Sequence, residues 1–593
     1  MNGDSGADER GLMLTRLQAL ALVLAVSGSQ SGLAAAVDPA GDILRGKQLT
    51  SEIGCAQCHL DLPQNVTLRD FIPDLSSAGF RYQPAWIFEF LQNPTRVRHH
   101  LGRARMPGFA LSPKEALALT TFLEAQRHIN GTWPAIPAAV AQPATSPRPN
   151  VSKEQFHGEL ARGLICLTCH DYAGQGGHRA VELTNVSLRL RPEWVAQYLV
   201  APARFGVPAV TMPAQFFQLA DDRSAFRELM PGAAQKIRLV TDHLFSLNAP
   251  RRAVLEGKLS DARRAFPDLT VAQGESLFRA LNCAACHRHH SIAPRGEGAA
   301  PSLAFEGLRV QKNWLAAFLS RPAPVRPFGS QPGDGARMPD FRLGPDEVRD
   351  LSAFLLSQQE GPVAGQAEYK PEPRTAFAMK KALLLFTDKF SCLGCHRFRE
   401  QGGRIGPDLT QARRRLQPRY VLSMIRDPRA TCPHSMMPQT PLPNDTVRLL
   451  ADFLLQHEVP AGETPYLSPL EHPLIALVGG GEDGAPPSSR AKHNYTHACA
   501  PCHGANGQGD GFNAAFLAAK PTPHANAAVM SLRPDDTLFD GIHAGASILG
   551  KSHLMPSWGN TFSTEEIREL VRYMRGLCRC EGPAWSRDDA RSP

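Results

Sequence analysis

Five times along this chain of 593 residues the pattern Cys-x-x-Cys-His recurs: Cys55–Cys58–His59, Cys166–Cys169–His170, Cys283–Cys286–His287, Cys392–Cys395–His396 and Cys499–Cys502–His503. Successive copies start 107 to 117 residues apart. Such regularity over so long a chain argues for a tandem array and against one large domain. Two thiols three positions apart lie on one helical turn, where both can form thioethers with the vinyl groups of a single porphyrin. The histidine that follows offers its imidazole to the iron. The pattern is the attachment signature of c-type haem, and five copies imply five covalently attached haems.

Other uses of paired cysteines fit less well. A structural zinc site needs four ligands, usually from two knuckles some 12 to 20 residues apart, far closer than these. A redox dithiol has no need of the histidine. The N-terminus reads as an export signal: Arg10 and Arg16 precede an apolar run from Leu17 to Val26 and a small-residue stretch ending Ala34-Ala35-Ala36, so that residues 1–36 form a signal peptide. Met13 is an alternative start. No later run approaches the ~20 apolar residues of a membrane helix. The expectation is an exported, periplasmic chain that is soluble after signal cleavage.

Ten of the 13 cysteines belong to the motifs, leaving Cys432, Cys578 and Cys580. An oxidising compartment permits one disulfide among them, although Cys578 and Cys580 are too close in sequence to be obvious partners. The formal charge of +8 would ordinarily raise nucleic acid or an acidic membrane as partners. Ten haem propionates and five ferric centres would add roughly minus five, so the basic composition mostly balances the cofactors and no nucleic-acid role follows.

Aligned on the motifs, the first four units carry an aromatic residue with a proline eight positions later: Trp86 and Pro94, Trp194 and Pro202, Trp314 and Pro322, Tyr420 and Pro428. Leu91, Leu199, Leu319 and Ile425 recur between them, so a short amphipathic helix is expected to end at each proline. Every unit then reaches Met-Pro, at Met106, Met212, Met338, Met437 and Met555, 41 to 52 residues beyond its motif histidine. A further helix follows, with Phe122, Phe354, Phe453 or Tyr573 at a near-constant offset. Pro-rich stretches near 132–149, 249–266, 361–373 and 461–489 read as semi-rigid linkers between units.

Each unit thereby resembles a class I cytochrome c, a mostly helical domain with a proximal His in the motif and a distal Met downstream. The resemblance implies a mainly α fold of five tandem domains: 37–135, 151–248, 267–360, 374–460 and 490–580. It implies proximal ligands His59, His170, His287, His396 and His503, and distal ligands Met106, Met212, Met338, Met437 and Met555. In unit two Met230 competes with Met212, since Met230-Pro231 also precedes a helix. The family also ties the proximal imidazole N–H to a proline carbonyl. Pro407 in Gly406-Pro407 matches this well, Pro73 and Pro301 do so on a loop three residues longer, and Pro521 on a longer one. Unit two has Val181-Glu182-Leu183 where the proline should stand. Unit five, with the Gly-rich run His503–Gly511, looks like small bacterial cytochrome domains fused to respiratory enzymes, including the dihaem subunit of cbb3-type oxidases.

These resemblances imply electron transfer rather than catalysis, since the ligand pairs fill every axial position. Expected partners are a quinol- or dehydrogenase-linked donor and an oxidase, reductase or small carrier, with unit five the candidate docking site for one of them. The rival readings are a haem enzyme with an open iron in unit two, and a fixed subunit of a larger oxidoreductase complex. His99, His100, His289, His290, His543 and His553 read as loop histidines, because nothing links their spacing across units.

Overall fold

The computed structural model describes residues 38–62, 72–97, 105–141, 152–205, 212–295, 300–328, 337–433, 435–457, 464, 466–471, 489–583 and 585. The signal peptide, His99 and His100 lie outside the described residues. The fold is mainly α, with two small antiparallel hairpins at 171–176 and 217–228. No described helix is long and apolar enough to cross a membrane.

In chain order the helices that build the sites are α1 (Pro39–Glu52), α2 (Pro84–Gln92), α3 (Pro113–Ala125), α4 (Lys153–Gly158), α5 (Pro192–Val200), α6 (Ala233–Ser246), α7 (Ala249–Ala265) and α8 (Val271–Ala280). They continue as α9 (Lys312–Ser320), α10 (Pro345–Ser357), α11 (Ala376–Leu384), α12 (Pro418–Arg426), α13 (Asn444–Gln456), α14 (Arg490–Asn494) and α15 (Thr564–Cys578). The aromatic helices α2, α5, α9 and α12 each stop two residues before the repeated proline, as the pattern required. Three of the helices after the Met loops begin with side-chain hydrogen bonds: Ser112 accepts from Glu115 N, Ser563 accepts from Glu566 N, and Glu347 Oε2 accepts from Gly344 N at 3.0 Å.

Units two, four and five each close on themselves. Lys236 on α6 pairs with Glu159 beyond α4 at 2.9 Å, and His243 on α6 stacks on Phe156 of α4 at 3.7 Å between ring centroids. In unit four α11 packs on α13, and in unit five α14 packs on α15. Units one and three do not close this way. The motif helix of unit one, α1, packs against α10 of unit three, while the motif helix of unit three, α8, packs against α3 of unit one. Both crossings are tight enough to demand glycine. A Cβ on Gly46 would lie 2.0 Å from the Asp350 carbonyl oxygen, and one on Gly274 would lie 2.0 Å from that of Ala118. The segments 37–135 and 267–360, expected as separate contiguous domains, thus share their helices reciprocally.

The Met loops of the same two units clasp each other. Gly108 and Asp340 exchange backbone hydrogen bonds at 2.8 and 2.7 Å. Arg105, just before Met106, reaches Glu347 at 2.6 Å, and Arg337, just before Met338, pairs with Glu115. The Arg337–Glu115 pair is buried at 3% and 2% side-chain exposure, where loss of one partner would strand a charge.

Two expectations fail here. The stretch 249–266 is not a linker: Ala249–Ala265 is a 17-residue helix, and Leu259 and Ala262 pack on Phe88, Ala116 and Leu117. Pro250 sits at its start, where a missing N–H costs nothing. The last cysteines are also corrected. α15 ends at Cys578, Arg579 turns the chain in the left-handed region (φ 49°), and Cys578 and Cys580 are joined in a disulfide with Cα atoms 5.1 Å apart. The turn removes the obstacle that sequence proximity suggested.

Candidate haem-attachment sites

Each motif forms one turn of tight or regular helix, which brings its two thiols to one side and its histidine to the turn's end. In all five, the histidine Nδ1 meets a backbone carbonyl: His59 with Pro301 at 2.8 Å, His170 with Val181 at 2.7 Å, His287 with Pro73 at 3.0 Å, His396 with Pro407 at 2.8 Å and His503 with Thr522 at 2.9 Å. A carbonyl can only accept, so each Nδ1 carries the proton and donates it. Nε2 is left with the lone pair a metal needs. Burial lowers the pKa of His59, His170, His396 and His503, which favours the neutral form that can ligate.

The acceptors are partly those expected. Pro407 serves its own unit, and Val181 takes the place of the absent proline in unit two. In unit five Thr522 accepts, one residue beyond Pro521. Pro73 and Pro301 also accept, but each from the other unit's histidine. This crossing agrees with the helix packing, and more contacts follow it: Leu75 N donates to Arg288 O at 2.9 Å, and His290 N to Ser76 Oγ at 2.8 Å.

Among the downstream methionines, Met338, Met555 and Met230 pack against hydrophobic cores. Met338 and Cys55 both pack against a core that Leu49, Ile53 and Ala56 of the His59 segment share with Leu315, Phe341 and Leu351. Met555 and Cys499 both pack against the core that holds Tyr495 and Ala500. Met437 N donates to Ser435 Oγ at 3.2 Å, and Met106 O accepts from Arg342. In unit two Met230 and Cys166 both pack against the core that holds Leu160 and Leu164, whereas Met212 is half-buried on the approach to the 217–228 hairpin.

The chemistry of this donor set fits covalent haem. Burial pushes the thiols of Cys55, Cys283, Cys392, Cys395 and Cys499 up to about 12, and those of Cys58, Cys166 and Cys502 to about 11, so they are held neutral near apolar side chains. Orphaned buried donors point the same way. Arg81 Nε and Arg415 Nη2 are enclosed without a hydrogen-bond partner, and burial pulls the Arg415 guanidinium down to about 10. Such donors call for anions, which porphyrin carboxylates would supply.

Residues that join neighbouring sites carry no motif. Asn513, fully buried, accepts from Arg404 N at 2.7 Å and donates to Gly394 O at 2.8 Å and Cys502 Sγ at 3.2 Å, tying the motifs of units four and five together. Elsewhere a pair of short antiparallel bridges repeats. Gln83 N donates to Arg189 O at 2.9 Å and Arg191 N to Arg81 O at 3.0 Å; Gln311 N donates to Arg415 O at 2.8 Å and Gln417 N to Arg309 O at 2.9 Å. The glutamines Gln83, Gln311 and Gln417 precede the aromatic helices, and their equivalent spacing in three units was a usable signal.

Residues 271–359 match the family model for cytochrome c, and residues 487–574 match that for subunit III of cbb3-type cytochrome c oxidase. No curated protein and no solved structure matches the chain. Two stretches of the chain are therefore cytochrome c-type domains, the class that binds haem covalently for electron transfer, and they support reading it as a c-type cytochrome.

Proposed function

We propose that the chain is an exported, periplasmic pentahaem cytochrome that relays electrons between a respiratory donor and an acceptor. The observation that carries this reading is the shared construction of the five histidines, each with Nδ1 hydrogen-bonded to a carbonyl at 2.7 to 3.0 Å beside its cysteine pair. When bound, c-type haem supplies a one-electron iron couple, and His/Met ligation places it at higher potential than bis-His. The residues would hold it as follows: Cys55 and Cys58, Cys166 and Cys169, Cys283 and Cys286, Cys392 and Cys395, and Cys499 and Cys502 by thioethers. The carbonyl-bound histidines fix ring orientation, and packing buries Ala56, Ala284, Leu393 and Ala500 in the motifs of units one, three, four and five, while the motif of unit two is more exposed. Met106, Met338, Met437 and Met555 are the proposed distal ligands, with Met212 or Met230 in unit two. Donor and acceptor are redox proteins, and the distinct build of unit five suits it to meet one of them.

Intact mass of the protein matured in a host with working haem attachment tests the count. Five haems are expected, and four or fewer would overturn it. An optical redox titration should then show only low-spin components; a high-spin band would move unit two toward the enzyme reading.

A further inference from the structure

Which methionine faces which histidine is decided by the exchange between units one and three. Resting on the haem reading above, we infer that Met338 completes the site of His59 and Met106 completes the site of His287, so that the five attachment sites run through the molecule in the order His170, His287, His59, His396, His503. The chain order of the units is not their order in space.

Four seams fix this order. The His287 site is built from α8 together with Pro73, α2 and α3, because Pro73 accepts from His287 and α8 packs on α3. Unit two joins that site through the bridge of Tyr82 with Leu190, reinforced by Gln83 Nε2 to Leu190 O at 3.0 Å and Arg191 Nε to Tyr82 O at 3.0 Å. Phe80 and Phe205 meet at 5.8 Å, and Arg81 lies 4.7 Å over the ring of Trp194. The His59 site is built from α1 together with Pro301, α9 and α10. It meets the His287 site through the clasped Met loops, where Gly108 and Asp340 exchange backbone hydrogen bonds at 2.8 and 2.7 Å.

On its other side, the His59 site joins unit four through the bridge of Val310 with Leu416. Gln311 Nε2 to Leu416 O and Gln417 Nε2 to Val310 O, both at 2.9 Å, reproduce the seam beside unit two. Asp408 N also donates to Val325 O at 2.9 Å, one residue from the proximal segment of His396. The last seam is that of Asn513, with His553 Nε2 against Thr387 O at 3.0 Å and Thr561 Oγ1 accepting from Gln439 N at 3.1 Å. Seams of two kinds therefore alternate. Arginine-bearing bridges join the first and second sites and the third and fourth; the clasped Met loops join the second and third, and Asn513 ties the motifs of the fourth and fifth.

The pairing is tested in the full chain by combining Met338→His with removal of one attachment site at a time. In a C55A/C58A background, M338H should leave the remaining redox components and optical spectrum unchanged, because the iron it would ligate is gone. In a C283A/C286A background the same change should lower the potential of one of four components. The opposite pattern would overturn the exchange. If loss of either haem prevents maturation, an Arg45→Lys variant gives an independent readout that needs no haem. Arg45 Nε lies 3.2 Å from Asp350, so a zero-length carbodiimide should join the amine introduced at position 45 to Asp350. A link from position 45 to Glu115 or Glu124 on α3 instead would refute the pairing. The link to Asp350 would survive even if the haem count proved wrong, which separates the two failures.

Discussion

Units two and four fold back at once after the motif, whereas units one and three send the following chain across to each other. In the first pair the proximal acceptor lies 11 residues beyond the histidine, and a glycine stands six residues after it. Gly176 (φ 119°) and Gly402 (φ 92°) each turn against the carbonyl of their own histidine, where a Cβ would lie 2.3 Å from that oxygen. Units one and three carry Asn65 and Ala293 at that place, and their prolines Pro73 and Pro301 stand 14 residues beyond His59 and His287. A backbone with positive φ and no room for a side chain is available only to glycine. The lesson is that a small change in one turn accompanies the difference between a closed unit and a shared one.

The comparison can be broken most severely at the exchanged helix crossings. Gly46→Val should displace α1 from α10, and Gly274→Val should displace α8 from α3, each destabilising by about 3 kcal/mol or more through forced overpacking. Thermal unfolding checks this, and an effect no greater than that of Gly257→Val, whose added Cβ would meet nothing within 4 Å, would argue against the crossings. Arg337→Ala comes next. It strands the buried Glu115 carboxylate and should cost roughly 3 kcal/mol. Arg105→Ala, at the more exposed equivalent pair, should cost about 1 kcal/mol. Equal losses in the two variants would mean that the Met loops are not clasped as described.

A self-contained region supplies a smaller contrast. Asn513→Leu removes the bonds to Arg404 N and Gly394 O and should cost about 2 kcal/mol, with the change confined to units four and five. A redox titration in which the components assigned to units one to three also moved would contradict that confinement. Smallest in stability is the comparison within unit two. Met212→His and Met230→His should each leave folding within about 1 kcal/mol, yet only the change at the ligand should lower one potential. A shift with both or neither would remove Met-ligation from that site.

Much of this was legible in the residues. The Cys-x-x-Cys-His copies, the aromatic-to-proline spacing and the Met-Pro pairs located the motif turns, α2, α5, α9 and α12, and the helices beyond the Met loops, because these are local patterns with a helical period. The exchange was not legible from the ligand spacing. Units one and three place their prolines at the same distance from their histidines, so contiguous and crossed pairings satisfy the same pattern. The absence of a glycine equivalent to Gly176 and Gly402 was the available hint. α7 was missed because its Pro250 and scattered charges resemble a linker until Leu259 and Ala262 find an apolar surface on α2 and α3. Asn513 gave no signal at all, since a single asparagine acquires its role only when two motifs meet around it.

Anomalous diffraction at the iron edge from crystals of the mature holoprotein tests the account most directly. Five iron positions are predicted, one of them held between His59 Nε2 and Met338 Sδ and another between His287 Nε2 and Met106 Sδ. Fewer than five positions, or an iron shared by His59 and Met106, would contradict it.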